Sequence, residues 1–246
     1  MKIIIANWKM KLGLAASRRL AADYARELEN SPAAVVVCPS EFALAAVAEA
    51  IAGSNLKLGA QNCFWLEPGA YTGEVAVETL AELGCRYVLC GHSERRQYAG
   101  ESDQVVNLKL AALLSRGQDL VPVLCVGESA SEHTAGHSAD WVRQQLVACL
   151  RGLDFGRQQI IVAYEPLWAI GTGLAIQPAE AAVTHQLIKN EVSALLKCPP
   201  DKVAVLYGGS VDGSNAAALG TVSDGLLVGG ASLEIAEFKA IISNIG

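Results

Sequence analysis

The sequence of 246 residues lacks basic runs and long apolar runs, and each absence disfavours a class of function. With 19 Lys and Arg against 25 Asp and Glu, the net charge is −6, which disfavours a nucleic acid or an anionic membrane as partner. We therefore expect a small-molecule ligand, with any phosphate held by local groups. No apolar run approaches a membrane span, and strand-like residues begin at Lys2 without a charged-then-apolar leader. We expect a cytoplasmic protein.

The sequence also lacks the residue patterns of a disulfide or metal framework. Its seven cysteines include no C-x-x-C pair, which is typical of a reducing compartment. Cys38, Cys90 and Cys125 lie in strand-like runs, where cysteine usually acts as a small buried hydrophobe. His133 and His137 have the spacing of metal ligands on a helix, but no carboxylate or cysteine frame accompanies them. We predict neither a redox role nor a metal site.

Nucleotide-binding glycine motifs are absent where an open, doubly wound sheet would normally carry one. The residues after the first strand-like run read NWKMKLG, residues 7–13, which contain neither a dinucleotide motif nor a P-loop. The nearest match, residues 171–176, lacks the third glycine and lies too far beyond its strand. This absence disfavours an open sheet.

What the sequence does contain is a regular alternation of apolar runs and amphipathic stretches. The runs with strand length are residues 2–7, 34–38, 58–61, 87–90, 121–126, 160–164, 203–206 and 225–228. Residues 103–116 and 178–196 are typical of helices, and the second has an apolar face of Val183, Leu187, Ile188, Val192 and Leu195. Strands buried on both faces and alternating with helices imply a parallel sheet. Eight such units favour one α/β domain over residues 1–246, a single (β/α)8 barrel.

Reactive groups of such a barrel lie just past the C-terminal ends of its strands. The first strand ends at Asn7-Trp8-Lys9, and the alternation of side chains places Asn7 and Lys9 on one face. The sixth strand runs into Glu165, although a buried strand has no structural need for a terminal charge. A stiff hinge at residues 166–168 and a flexible Gly-Thr-Gly at residues 171–173 follow. A base beside a hinged, anion-binding lid predicts proton chemistry.

Three further strand ends complete this candidate site. At the fourth strand, Ser93 is a candidate N-cap, and His92 would precede the helix, whose dipole favours a neutral imidazole able to donate to a carbonyl oxygen. The seventh and eighth strands end in Gly-Gly pairs at residues 208–209 and 229–230. Together with Gly171, these glycines are expected to converge on one anion. His185, within the helix at 178–196, is interpreted as structural or exposed.

Several motifs, in this order along the whole chain, resemble triosephosphate isomerases. They are NWKM at 7–10, CGHSERR at 90–96, CVGE at 125–128, AYEPLWAIGTG at 163–173, YGGSV at 207–211 and LVGGASL at 227–233. The resemblance implies a TIM barrel that interconverts dihydroxyacetone phosphate and glyceraldehyde 3-phosphate through an enediol, without a cofactor or a metal. A glutamate base paired with a neutral histidine is the known pairing of this family.

The resemblance also implies a role for each matching residue. The catalytic residues would be Glu165 as the base, His92 polarising the carbonyl and Lys9 stabilising negative charge. Substrate and phosphate would be bound by Asn7, Lys9, Gly171, Ser210, Gly229 and Gly230, and Glu94 would support Lys9. Residues 166–176 would form a closing lid that keeps water from the enediol.

The resemblance and the composition together predict a homodimer. The loop at residues 61–76 contains Phe64, Trp65, Leu66 and Tyr71, too many apolar groups to face water. In the family this loop reaches the neighbouring subunit's active site, and Thr72 matches the residue at its tip.

Some positions depart from the family's usual pattern. Lys11-Leu12 replaces a common Asn-Gly, and Leu174 stands where a lysine commonly opens the second hinge of the lid. We expect Leu174 to pack under the closed lid. The segment at residues 129–140 also differs from the usual run.

Two competing functions remain. A Schiff-base aldolase would need a nucleophilic lysine inside the barrel, whereas the sixth strand ends in a carboxylate. A binding protein that kept the fold but lost turnover is the other alternative.

Overall fold

The computed structural model describes residues 1–156, 158–170 and 176–245 of the chain. Within these ranges, eight parallel strands pair in sequence order, and the eighth pairs with the first, so the sheet closes into a barrel. The strands are β1 Ile3–Asn7, β2 Ala34–Cys38, β3 Lys57–Ala60, β4 Cys85–Cys90, β5 Val121–Val126, β6 Ile160–Tyr164, β7 Val203–Tyr207 and β8 Gly225–Val228. The predicted (β/α)8 TIM barrel is confirmed, and no strand bound differs from its predicted bound by more than two residues.

Helices connect the strands and cover the outside of the barrel. In the described ranges they are α1 Leu14–Glu27, α2 Leu44–Ala50, α3 Val77–Glu82, α4 Ser93–Tyr98, α5 Asp103–Leu114, α6 Ala130–Thr134, α7 Ser138–Leu150, α8 Pro178–Leu196, α9 Ala216–Thr221 and α10 Ile235–Ile245. None of these helices is long and apolar enough to cross a membrane. The predicted lid positions Gly171 and Leu174 lie outside the described residues.

The predicted bounds of α8 are confirmed, but its predicted apolar face was wrong at two positions. Val183 and Leu195 are 71% and 37% exposed. The buried residues follow the i, i+4, i+7, i+11 stripe of a helix and are Ala181, His185, Ile188 and Val192. The stripe includes the small Ala181 and the polar His185. The positions of the large apolar residues in the sequence therefore did not indicate which face of α8 packs on the barrel.

His185 is structural rather than exposed. It is buried, and its Nδ1 lies 2.9 Å from the carbonyl oxygen of Val222. Burial lowers the pKa of this imidazole.

Side chains of each strand alternate between two apolar cores. One core lies between the strands and the helices, and a smaller core fills the inside of the barrel. Ile5 of β1, Leu89 of β4, Ala163 of β6 and Leu227 of β8 belong to the inner core. Residues two positions beyond them therefore face the C-terminal mouth of the barrel.

Candidate active site

The alternation along β1 and β6 brings Asn7 and Glu165 into this mouth. Both follow an inner-core residue by two positions and are buried, with only 4% and 1% exposed. Trp8 points the other way, is 1% exposed and packs edge-on against Tyr24 with ring centroids 5.7 Å apart. The predicted separation of Trp8 from Asn7 is confirmed.

The backbone of Lys9 has an unusual conformation that neighbouring polar groups hold. Its φ is 51°, in the left-handed region that residues other than glycine seldom adopt. The Asn7 Oδ1 accepts a hydrogen bond from the Lys9 N–H at 3.1 Å, and Ser40 and Gln61 donate to the Lys9 carbonyl at 2.8 and 3.0 Å. Lys9 Nζ lies 2.7 Å from Glu94 Oε1. The ammonium is thus fixed by Glu94, and Lys9 and Asn7 line the same cavity.

His92 itself is the N-cap of α4, which corrects the prediction that Ser93 would fill this position. The helix begins at Ser93, and His92 Nδ1 accepts a hydrogen bond from the Glu94 N–H at 3.2 Å. A nitrogen that accepts an N–H carries no hydrogen itself, so the neutral ring has its hydrogen on Nε2. That nitrogen lies 3.2 Å from Glu165 Oε1.

The carboxylate of Glu165 is held at only one of its oxygens. Oε2 accepts a hydrogen bond from the Ser93 N–H at 2.9 Å, whereas the buried Oε1 has no aligned hydrogen bond within the described part of the chain. The side chain lines a cavity of about 240 Å³, which shares Ser93 and Leu167 with a cavity that contains Lys9 and Gly229.

The two glycine pairs line one cavity, while their convergence with Gly171 on an anion stays a prediction. Around one cavity of about 230 Å³ lie residues 208–211 and 229–231 together with Asn7, Lys9 and His92. A Cβ added at Gly208 would lie 3.0 Å from Glu165 Cγ, and one at Gly229 would lie 3.4 Å from Lys9 Cε. Glycine at these positions therefore allows close approach of backbone to the reactive side chains.

The residues that support the His92 turn were missed by sequence reasoning. Glu101 Oε1 accepts a hydrogen bond from the Gly91 N–H at 3.0 Å, and Glu101 Oε2 lies 2.6 Å from Lys109 Nζ and 2.7 Å from Arg95 Nε. Arg96 Nε donates to the Gly91 carbonyl at 2.6 Å. In the sequence these are ordinary charged residues, and only folding shows that Glu101 and Lys109 are buried together.

Glu101 makes stability depend on pH in a defined direction. Burial alone would raise the pKa of this carboxyl, but Lys109 and Arg95 outweigh burial and lower it. The stabilisation is thus present above the ordinary value of 4.5 and is lost as pH falls through the lower folded pKa. Glu101→Gln should lower the free energy of unfolding at pH 7 by about 3–5 kcal/mol, because the buried Lys109 ammonium loses its carboxylate partner and keeps only neutral groups, such as Asn62 Oδ1 at 2.6 Å.

Urea unfolding from pH 7 down to pH 3 measures this effect, and the difference between wild type and Glu101→Gln should shrink with falling pH. Glu49→Gln breaks an exposed pair with Arg18 and is the matched control, expected to leave stability unchanged. A difference for Glu101→Gln that is constant over this pH range would contradict the assignment.

A second supporting group, Glu128, was also missed. It is fully buried, and its Oε1 accepts hydrogen bonds from the Tyr164 hydroxyl at 3.0 Å and from Trp168 Nε1 at 2.8 Å. Its backbone carbonyl accepts from the Leu167 N–H at 3.0 Å. Through these hydrogen bonds, Glu128 connects residues 164–168, the segment that carries Glu165, to the end of β5.

Comparison with known proteins decides the family. A sequence model described as triosephosphate isomerase matches residues 2–245. The chain belongs to the triosephosphate isomerase family. A triosephosphate isomerase of Moorella thermoacetica is 43% identical over 98% of this chain and 97% of its own length. The proteins of that name from Synechococcus sp. (strain JA-3-3Ab) and Delftia acidovorans are 43% and 42% identical, each over 98% of this chain and over 94% and 98% of their own lengths.

Proposed function

We propose that this chain is the enzyme that interconverts dihydroxyacetone phosphate and glyceraldehyde 3-phosphate, with Glu165 as the base. The observation that carries the proposal is the buried carboxylate of Glu165, 3.2 Å from His92 Nε2, beside a cavity that also contains Lys9. Membership of the triosephosphate isomerase family gives the substrate class. A cytoplasmic location and a reaction without a cofactor stay predictions.

The reaction follows from the positions of three side chains. Glu165 takes a proton from carbon 1 of dihydroxyacetone phosphate, and the electron pair of the broken C–H bond forms the double bond of the enediol. The hydrogen on His92 Nε2 stabilises the carbonyl oxygen as it becomes negative, and the Lys9 ammonium adds a positive charge to the same cavity. His92 Nε2 gives its hydrogen to oxygen 2 and takes the hydroxyl hydrogen of oxygen 1. Glu165 returns the proton at carbon 2, so that the bond between carbon 1 and oxygen 1 becomes the aldehyde carbonyl.

The phosphate of the substrate fits the glycine-rich side of this cavity. Ser210, Gly229 and Gly230 line it, and glycine backbone can approach the phosphate oxygens closely. Lys9 and Asn7 lie across the same cavity, so their side chains can contact the substrate. The assignment of Gly171 to the phosphate remains a prediction because it lies outside the described residues.

A coupled assay of the purified chain with glyceraldehyde 3-phosphate tests this function. Turnover in both directions without added metal or cofactor is the expected result. Borohydride added with substrate should leave the activity intact, because no lysine forms a Schiff base. Trapping of a lysine adduct would instead support the aldolase alternative, and substrate binding without turnover would support a binding protein.

We also propose that the chain is a homodimer joined by the loop at residues 61–76. Phe64 packs against Trp65 and Tyr71 with ring centroids 4.2 and 4.8 Å apart, so part of the loop is covered by its own aromatic rings. Leu66 and Tyr71 are nevertheless each 42% exposed. These exposed apolar groups favour a partner surface.

The proposed partner surface is a cavity of about 350 Å³ next to the active site. It is lined by Lys9, His92 and Glu94 and by Met10 and Phe42, which are 90% and 61% exposed. The loop of a second copy, with Thr72 at its tip, would cover these apolar side chains and touch the site. A dimer would therefore complete the surroundings of Lys9 and Glu94.

Phe42→Glu should dissociate this dimer and lower activity by roughly tenfold or more, because it places a charge in the interface. Val183→Glu, at a position 71% exposed on α8, is the matched control and should remain dimeric and active. Sedimentation and activity at matched protein concentrations measure both effects. A wild-type chain that is monomeric and fully active at nanomolar concentration would exclude the dimer.

A further inference from the structure

His133 stacks on Trp168, a contact that the reaction described above does not use. The two rings have centroids 4.1 Å apart and an interplanar angle of 21°. His133 lies on α6, and its side chain is 34% exposed, so water and protons can reach it. The spacing of His133 and His137 suggested metal ligands in the sequence, but the structure gives their rings different neighbours, with His137 Nδ1 3.7 Å from Glu132.

Trp168 is connected to the base through a short and tightly held segment. It lies three residues after Glu165, in a 3₁₀ turn at Leu167–Ala169. Its Nε1 and the Leu167 N–H both donate to Glu128, and the Glu165 N–H donates to the Val126 carbonyl at 2.7 Å. A change in the position of the Trp168 ring is therefore transmitted to the backbone that carries Glu165.

Two carboxylates and one hydroxyl face the His133 ring. Glu180 of α8 lies 3.6 Å from Nδ1, and Glu128, in the loop after β5, lies 3.9 Å from it. From α7 the ring meets only the uncharged Ser138 hydroxyl, at 3.5 Å. A protonated imidazole would be attracted by both carboxylates and by the face of the indole ring.

We propose that His133 is a positioning residue for the segment at residues 165–168, and that protonation of its ring strengthens its hold on Trp168. This proposal rests on the function proposed above, because the segment matters through Glu165. Histidine is the side chain whose charge ordinarily changes between pH 5 and 8. The additional attraction between the His133 ring and Trp168 is present when the ring is protonated and is lost as pH rises.

Fluorine NMR of the chain labelled with 5-fluorotryptophan tests the contact without relying on activity. The four tryptophans give four resonances, and Trp168→Phe identifies that of Trp168. The Trp168 resonance should shift with pH in wild type, and this titration should vanish in His133→Phe, which keeps a ring but cannot be charged. His137→Gln, four residues away, is the matched control and should titrate like wild type. A titration that persists in His133→Phe would overturn the proposal.

Kinetics then test whether the contact positions the base. The kcat of wild type should exceed that of His133→Phe by about two- to fivefold at pH 5.5, and the two values should be equal at pH 8.5. A two- to fivefold difference is the effect expected from a cation over an exposed aromatic ring. KM should change little, because His133 does not line the cavity that holds the phosphate. His133→Gln removes ring and charge together and should lower kcat at both pH values.

A kcat ratio between wild type and His133→Phe that does not vary with pH would also overturn the proposal. A wild-type chain without isomerase activity would instead refute the proposed function, while the fluorine titration would still report on the contact between His133 and Trp168.

Discussion

Glu165→Gln is expected to lower kcat by about 10²- to 10⁴-fold or more, because it removes the base and keeps the shape of the side chain. The amide oxygen of Gln can still accept the hydrogen bond that the Ser93 N–H donates to Glu165. Folding and the binding of a phosphate-bearing substrate analogue should therefore persist. Steady-state kinetics and analogue titration, on the same preparation, measure the two effects separately.

Glu165→Asp is the companion variant, since it keeps a carboxylate but shortens its reach. A displacement of about 1 Å can cost about 10² in rate, so its kcat should lie between those of wild type and Glu165→Gln. Near wild-type turnover of Glu165→Gln in a clean preparation would show that another group is the base.

Gly127→Ala is expected to cause the second largest loss. A Cβ at Gly127 would lie 1.8 Å from the backbone oxygen of Glu165 and 2.5 Å from its carbonyl carbon. Neither atom belongs to a flexible side chain, so the backbone that carries the base must move. We expect kcat to fall by roughly 10²-fold and stability to fall by about 1–3 kcal/mol or more.

Gly13→Ala is the matched control for this change. A Cβ at Gly13 would meet nothing within 4 Å, and its φ of −76° is open to alanine. Kinetics and urea unfolding of the two variants give the comparison. Wild-type kcat and stability in Gly127→Ala would mean that Glu165 is not held against the end of β5 as described.

The strands and the strand-end residues could be predicted from the sequence because they depend on local patterns. Runs that are apolar on both faces are typical of barrel strands, and residues just past them lie at one mouth. These patterns predict that Asn7, Lys9 and Glu165 lie at the same mouth of the barrel. They could also place the two glycine pairs, because both follow a strand directly.

The support of the site could not be predicted, because it depends on contacts between distant segments. Nothing local distinguishes the buried Glu101 and Glu128 from solvated carboxylates, and their partners lie on other elements. The N-cap role of His92 depends on the turn of the backbone after β4. The errors at Val183 and Leu195 in the predicted apolar face of α8 have a similar cause, because packing on the barrel, and not residue size, decides which residues are buried.

The reaction in D₂O tests proton transfer by Glu165 most directly. Dihydroxyacetone phosphate is converted by the enzyme in D₂O, the product is trapped as it forms, and proton NMR reads the hydrogen at its carbon 2. Because a proton held on a carboxylate exchanges with solvent, deuterium is expected at carbon 2 of the wild-type product, and the rate should fall for Glu165→Gln. Product with only protium at carbon 2, together with an unchanged rate for Glu165→Gln, would show direct transfer between the two carbons and would exclude Glu165 as the base.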